Sequence, residues 1–226
     1  MNASVKLIEQ VIPSTVTIRV TVPSQHQSAQ LLGTQRMGSG AVIDTDGYIL
    51  TVNYIVIGAS SVRVSMADNT QLDAEVVAQD FASGIAVLKI SKTGFPPLPL
   101  QSSAGLRTGD EVFLVASSGE ENGRRIDGGG LTSVSRFDAY WEYSLERALT
   151  STAMNPGLGG GSMFDMYGRM VGVVSLSPNE TSMGFLLTWA NSATGMPMGQ
   201  AAVQALMPLH LSLGTTANLL FEKRPK

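Results

Sequence analysis

The chain has 226 residues, 43% hydrophobic and 15% charged: enough apolar surface for one large core or two small ones, and too little charge for wholesale disorder. A formal net charge of −3 argues against a basic face for phosphate backbones, so no nucleic-acid partner is expected. The lack of cysteine excludes disulfides and thiol chemistry, and with only His26 and His210 no metal site or cofactor is expected.

Residues 1–6 lack the basic-then-apolar layout of a signal peptide. Residues 5–11 show a short helical period that Pro13 stops. Strand signals follow at residues 15–20, 40–43, 48–52, 61–66, 72–78 and 85–90. Asp46-Gly47 marks a hairpin, because glycine tolerates the positive φ that such a turn demands. The proline-rich stretch 93–99 cannot sit in a central strand and reads as a linker. Beyond it, residues 111–116, 131–136, 169–176 and 183–188 read as strands. Residues 117–130 read as a polar, Gly-rich loop, and residues 200–207 as a short helix before Pro208. No charged residue occurs from Thr181 to Phe221. Pro197, Gln200, Gln204, Pro208 and His210 interrupt that stretch, which favours a buried or interface-forming segment over a membrane span.

Four motifs recur in order. They are Gly38-Ser39-Gly40-Ala41-Val42-Ile43 followed by Asp46-Gly47-Tyr48-Ile49-Leu50-Thr51-Val52-Asn53-Tyr54, Ser83-Gly84-Ile85-Ala86-Val87-Leu88, Pro97-Leu98-Pro99-Leu100 with Gly109-Asp110, and Gly157-Leu158-Gly159-Gly160-Gly161-Ser162. Together they resemble the protease domain of the HtrA (Deg) serine proteases of the chymotrypsin/trypsin fold, from about residue 5 to about residue 207. The resemblance implies an all-β protein of two six-stranded antiparallel β-barrels, with short N- and C-terminal helices and a cleft between the barrels. The partition it suggests is 1–13 N-terminal helix, 14–92 first barrel, 93–108 linker, 109–190 second barrel, and 191–226 C-terminal helix and tail, with no PDZ domain.

The resemblance also implies a Ser-His-Asp triad of nucleophile, base and orienting group. Carried over residue by residue, the histidine falls on Tyr54, the aspartate on Gly84 and the serine on Gly159. A phenol is a poor base near neutral pH, and glycine offers neither carboxylate nor hydroxyl. Gly157 and Gly159 then stand where backbone N–H groups would form a vestigial oxyanion hole. Tyr54 is expected to fill the cleft beside Gly159, with its phenol bonded to the backbone of residues 157–161.

Other readings compete at single residues. Ser162 and Ser83 read as turn or strand-start polar groups rather than substitute nucleophiles. The glycine run lacks the Gly-Lys-Ser/Thr ending of a phosphate loop. Residues 44–49 echo part of a calcium loop but lack its later acidic positions. The expectation is a catalytically inactive HtrA-like homologue that binds a protein or peptide or serves as an assembly subunit. Its alternatives are a residual or rearranged hydrolase and an anion binder using the glycine-loop N–H groups. Compartment and oligomeric state do not follow from the residues. The resemblance admits an extracytoplasmic location and a homo-oligomer.

Overall fold

A computed structural model describes residues 3–96, 98–120, 123–139, 143–154, 157–176 and 201–205. Helix α1 (Ala3–Val11) precedes a 3-10 turn through Pro13 and strand β1 (Thr15–Thr21). Helix α2 (Gln27–Leu32) leads into β2 (Gln35–Val42), β3 (Tyr48–Val52) and the one-turn helix α3 (Asn53–Val56). Strands β4 (Ser61–Ser65), β5 (Gln71–Asp80) and β6 (Ile85–Ile90) complete a closed barrel in the order β1-β2-β3-β6-β5-β4. The hairpin at Asp46-Gly47 forms as its sequence demands. Gly47 has φ +89°, and Asp44 Oδ1 accepts from the N–H groups of Asp46, Gly47 and Tyr48 at 3.0–3.1 Å.

The second closed barrel runs β10-β11-β12-β9-β8-β7. Its strands are β7 (Glu111–Ser117), β8 (Arg124–Ala139), β9 (Tyr143–Ser151), β10 (Ser162–Asp165), β11 (Met170–Leu176) and β12 (Ala201–Ala205). The all-β double-barrel expectation is thus met.

Two expectations are corrected. The loop expected over residues 117–130 ends early, because β8 begins at Arg124 and carries Gly128, Gly129 and Gly130 in register with β7. Glycine suits that strand because a Cβ at Gly129 would collide with the backbone of Ala153. The helix expected over residues 200–207 is instead strand β12, which pairs with β11 and β9 and closes the barrel beyond the expected limit at residue 190. Long-range pairing overrides the local helical preference of Ala-Ala-Val-Gln-Ala. The strand expected at residues 183–188 and the segment from residue 206 onward lie outside the described residues.

The first barrel's core includes Val16, Ile18, Ile49, Leu50, Val64 and Leu88, all essentially inaccessible to solvent. It is continuous with Phe113, Val115 and Phe164 of the second barrel, where the Phe113 and Phe164 rings stack at 5.2 Å. The linker is not a loose tether. Pro99 O accepts from Met170 N at 2.8 Å, Gln101 N donates to Met170 O at 2.9 Å, and Leu98 is buried. Arg147 fastens its far side by donating to Ser103 O at 3.0 Å and Leu106 O at 2.7 Å.

Polar groups stitch the two barrels together along β1, β2 and β7. Thr17 Oγ1 lies 2.5 Å from Ser117 Oγ, both buried. The Arg124 guanidinium reaches across to Thr15 O at 2.8 Å, Thr17 Oγ1 at 3.3 Å and Ser65 O at 3.2 Å. Burial disfavours its charged form and lowers its pKa from the usual arginine value.

Candidate functional site

Tyr54 is presented to the cleft by α3, the single turn that follows β3. Both ends of that turn are held. At its start, Asn53 N donates to Gly84 O at 2.7 Å, and Asn53 Oδ1 accepts from Gln79 Nε2 at 2.6 Å. At its end, the buried Arg36 side chain donates to Tyr54 O at 2.9 Å and Ile57 O at 3.0 Å. The same guanidinium donates to Gly33 O at 3.1 Å and Ser28 Oγ at 2.7 Å. Its burial lowers its pKa from the usual arginine value.

From this mount the Tyr54 hydroxyl donates to Ser175 O at 3.0 Å. Ser175 lies where β11 breaks register against β12, between Val174 and Leu176. A Cβ built on Gly159 would overlap the Tyr54 hydroxyl. The phenol therefore fills the space beside Gly159, but its acceptor is β11 rather than the 157–161 backbone expected from sequence. The bulge carbonyl is the better-placed acceptor.

The 157–161 segment is pinned from both barrels. Ser39 N donates to Gly159 O at 2.7 Å, and Ser39 Oγ donates to Leu158 O at 2.9 Å while accepting from Ser117 N at 2.9 Å. Leu158 N donates to Ser117 O at 2.8 Å and Gly160 N to Val174 O at 2.7 Å. Gly160 needs to be glycine, since its φ is +87° and a Cβ there would strike Ser39 O.

Gly84 is buried at the end of the turn 80–84, also with positive φ, at +72°. The structure thus gathers positions 54, 84 and 159 at one place. Gly84 is hydrogen-bonded to the residue before Tyr54, and Gly159 lies under the Tyr54 hydroxyl. Ser83 is in the same turn, where its Oγ donates to Asp80 Oδ2 at 2.5 Å. Ser162 is fully buried on β10, and its Oγ has no partner among the described residues. His26 instead sits at the N-terminus of α2, accepting from Ser28 N at 3.2 Å and packing on Gly58. His210 lies outside the described residues. Among the described residues no three His, Asp or Glu side chains gather to hold a metal ion. Sequence reasoning missed Arg36, Ser39 and Ser175, because each acts through a contact with a distant segment that no local pattern encodes.

Residues 38–173 match the family described as "Trypsin-like peptidase domain". The chain belongs to that family. Among its relatives is a "Probable periplasmic serine endoprotease DegP-like" of Pseudomonas savastanoi pv. phaseolicola, 34% identical over 146 residues, which cover 63% of this chain and 29% of the relative. "Protease Do-like 1, chloroplastic" of Arabidopsis thaliana is 33% identical over 192 residues, covering 80% of this chain and 43% of that one. The solved structure "HtrA-type protease AlgW with tripeptide" superposes with a TM-score of 0.71 at 22% identity, over 90% of this chain and 60% of that one. The relatives and the solved structure are thus HtrA- and Deg-type proteases, and the structural likeness extends to the fold. The chain spans about a third or less of the length of the first curated relatives, the DegP-like example being matched over 29%. No helix among the described residues is long and apolar enough to cross a membrane.

Proposed function

We propose that this chain is a pseudoprotease: an HtrA-type domain that keeps the double barrel, lacks the hydrolytic centre, and serves as a polypeptide-binding or assembly subunit. The observation that carries the proposal is the Tyr54 hydroxyl occupying the space of a side chain at position 159 while bonded to Ser175 O. A serine nucleophile needs a hydroxyl, an adjacent base and an orienting group held in one line. On the proposed correspondence, positions 159, 54 and 84 supply none of the three, and the turn at 84 has a backbone suited to glycine. Under this reading the N–H groups of Gly157 and Gly159 are the remnant of an oxyanion hole, and the plug moves polypeptide binding to the cleft rim. The periplasmic and chloroplastic names of the relatives support an extracytoplasmic location. The test pairs two assays on the same preparation: casein turnover, and capture of an unfolded polypeptide. Capture without turnover supports the reading, and turnover that survives repurification overturns it.

A further inference from the structure

Four residues form one row across the outer surface of the first barrel. Met37 on β2 pairs with Arg19 on β1, Arg19 with Arg63 on β4, and Arg63 with Asp73 on β5. The row abuts the cleft rim. Arg19 Nη2 donates to Gly119 O at 3.2 Å, and a Cβ at Gly119 would touch both Met37 (3.3 Å) and Leu158 (3.4 Å). Met37 is 41% exposed.

The charge arrangement within this row is unfavourable as it stands. Arg19 and Arg63 are directly opposite on neighbouring strands, a placement in which like charges destabilise a sheet. Arg63 has a loose ion pair, 3.5 Å to Asp73, with the two side chains 62% and 88% exposed. Among the described residues Arg19 bonds only neutral groups, Ser65 Oγ at 3.2 Å and Gly119 O, and Arg124 bonds Ser65 O from the other barrel. No acidic side chain among the described residues is ion-paired with Arg19 or Arg124. A chain of formal net charge −3 therefore places Arg19, with no ion pair among the described residues, and the loosely paired Arg63 side by side next to an apolar rim.

We propose that this row is the docking strip for an acidic polypeptide segment. A hydrophobic side chain of the partner packs on Met37 and Leu158, and carboxylates two and three positions further along bridge Arg19 and Arg63. Charge complementarity selects the partner, and the apolar rim selects a polypeptide over a bare anion. Neighbouring strands about 4.8 Å apart place Arg63 about 10 Å from Met37, the span of about three extended residues. This rests on the polypeptide-binding reading above but not on the loss of catalysis.

The probe is a fluorescein-labelled peptide, Ala-Leu-Ala-Glu-Glu-Ala, titrated into the full chain and followed by anisotropy. Its partner probe carries glutamine at both glutamates. The proposal expects saturable binding of the glutamate peptide, weakened several-fold between about 50 and about 500 mM salt, and weakened about tenfold or more by Arg19→Gln with Arg63→Gln. Arg63→Gln alone keeps the test decidable should Arg19→Gln unfold the seam, because the ion pair it removes is the loose one to exposed Asp73; it is expected to weaken binding several-fold. Equal binding of the glutamine peptide, or indifference to Arg63→Gln, overturns the strip while leaving polypeptide binding elsewhere intact. Displacement by inorganic phosphate as effective as by unlabelled peptide marks a small-anion site and also overturns it. No binding of either peptide up to about 1 mM counts against the strip, whereas the pseudoprotease reading is decided separately by turnover.

Discussion

The Tyr54 hydroxyl and the Cα of Gly159 are so placed that the first side-chain carbon of any larger residue at 159 would overlap the phenol oxygen. The relationship is reciprocal, since Tyr54 can donate to Ser175 O only while position 159 stays glycine or yields. The two residues should therefore be energetically coupled. Gly159→Ala is expected to destabilise the protein by about 1–3 kcal/mol through overpacking. In a Tyr54→Phe background, which removes the clashing oxygen, the cost should fall by about 1 kcal/mol or more. Urea denaturation of the four proteins of the cycle measures this. Additive effects would separate the two residues.

Single reversions toward a triad should not create a protease. Gly159→Ser adds a hydroxyl beneath a phenol, and Tyr54→His adds a base with no orienting carboxylate. Triad members act as a unit, so partial sets are expected to give no measurable casein turnover. Gly84→Asp, needed to complete the set, meets a φ of +72° and is expected to cost about 1–2 kcal/mol. A thermal melt of each variant alongside the turnover assay checks both parts.

Arg36 is the strut behind Tyr54. Arg36→Met would leave the carbonyls of Gly33, Tyr54 and Ile57 without their charged donor, and is expected to cost about 2–3 kcal/mol. Hydrogen exchange should rise selectively at residues 53–57, the turn that carries the plug. A uniform rise across both barrels would mean that Arg36 supports the fold and not the mount.

Much of the first barrel was legible because its strands carry local signals, such as the β-branched run of β1 and the Asp44–Gly47 turn. The spacing of the four motifs was enough to bring positions 54, 84 and 159 to one place. What stayed hidden depends on distant partners. Gly128, Gly129 and Gly130 read as a loop, yet they lie on β8, where glycine at 129 answers the close approach of Ala153. Strand β12 has no strand signature of its own and is defined by the edges of β9 and β11. The acceptor of the Tyr54 phenol depends on a break of register in β11, which no residue pattern announces.

Two adjacent arginines on β8 should behave in opposite ways. Arg124 bridges to Thr15, Thr17 and Ser65 in the inter-barrel seam, whereas Arg125 is exposed. Arg124→Met is expected to cost about 2–3 kcal/mol, and Arg125→Met to stay within about 0.5 kcal/mol. Denaturation midpoints of the two variants, measured together, check the ordering.

The central claim is that no serine in this chain is an activated nucleophile. Intact-mass analysis after incubation with a fluorophosphonate probe tests it most directly, because the probe reports activation without needing a known substrate. The account predicts an unmodified mass at long incubation and excess probe, with an active serine protease labelled in parallel. A stoichiometric one-probe adduct that maps to a serine and disappears on denaturation before labelling would contradict it.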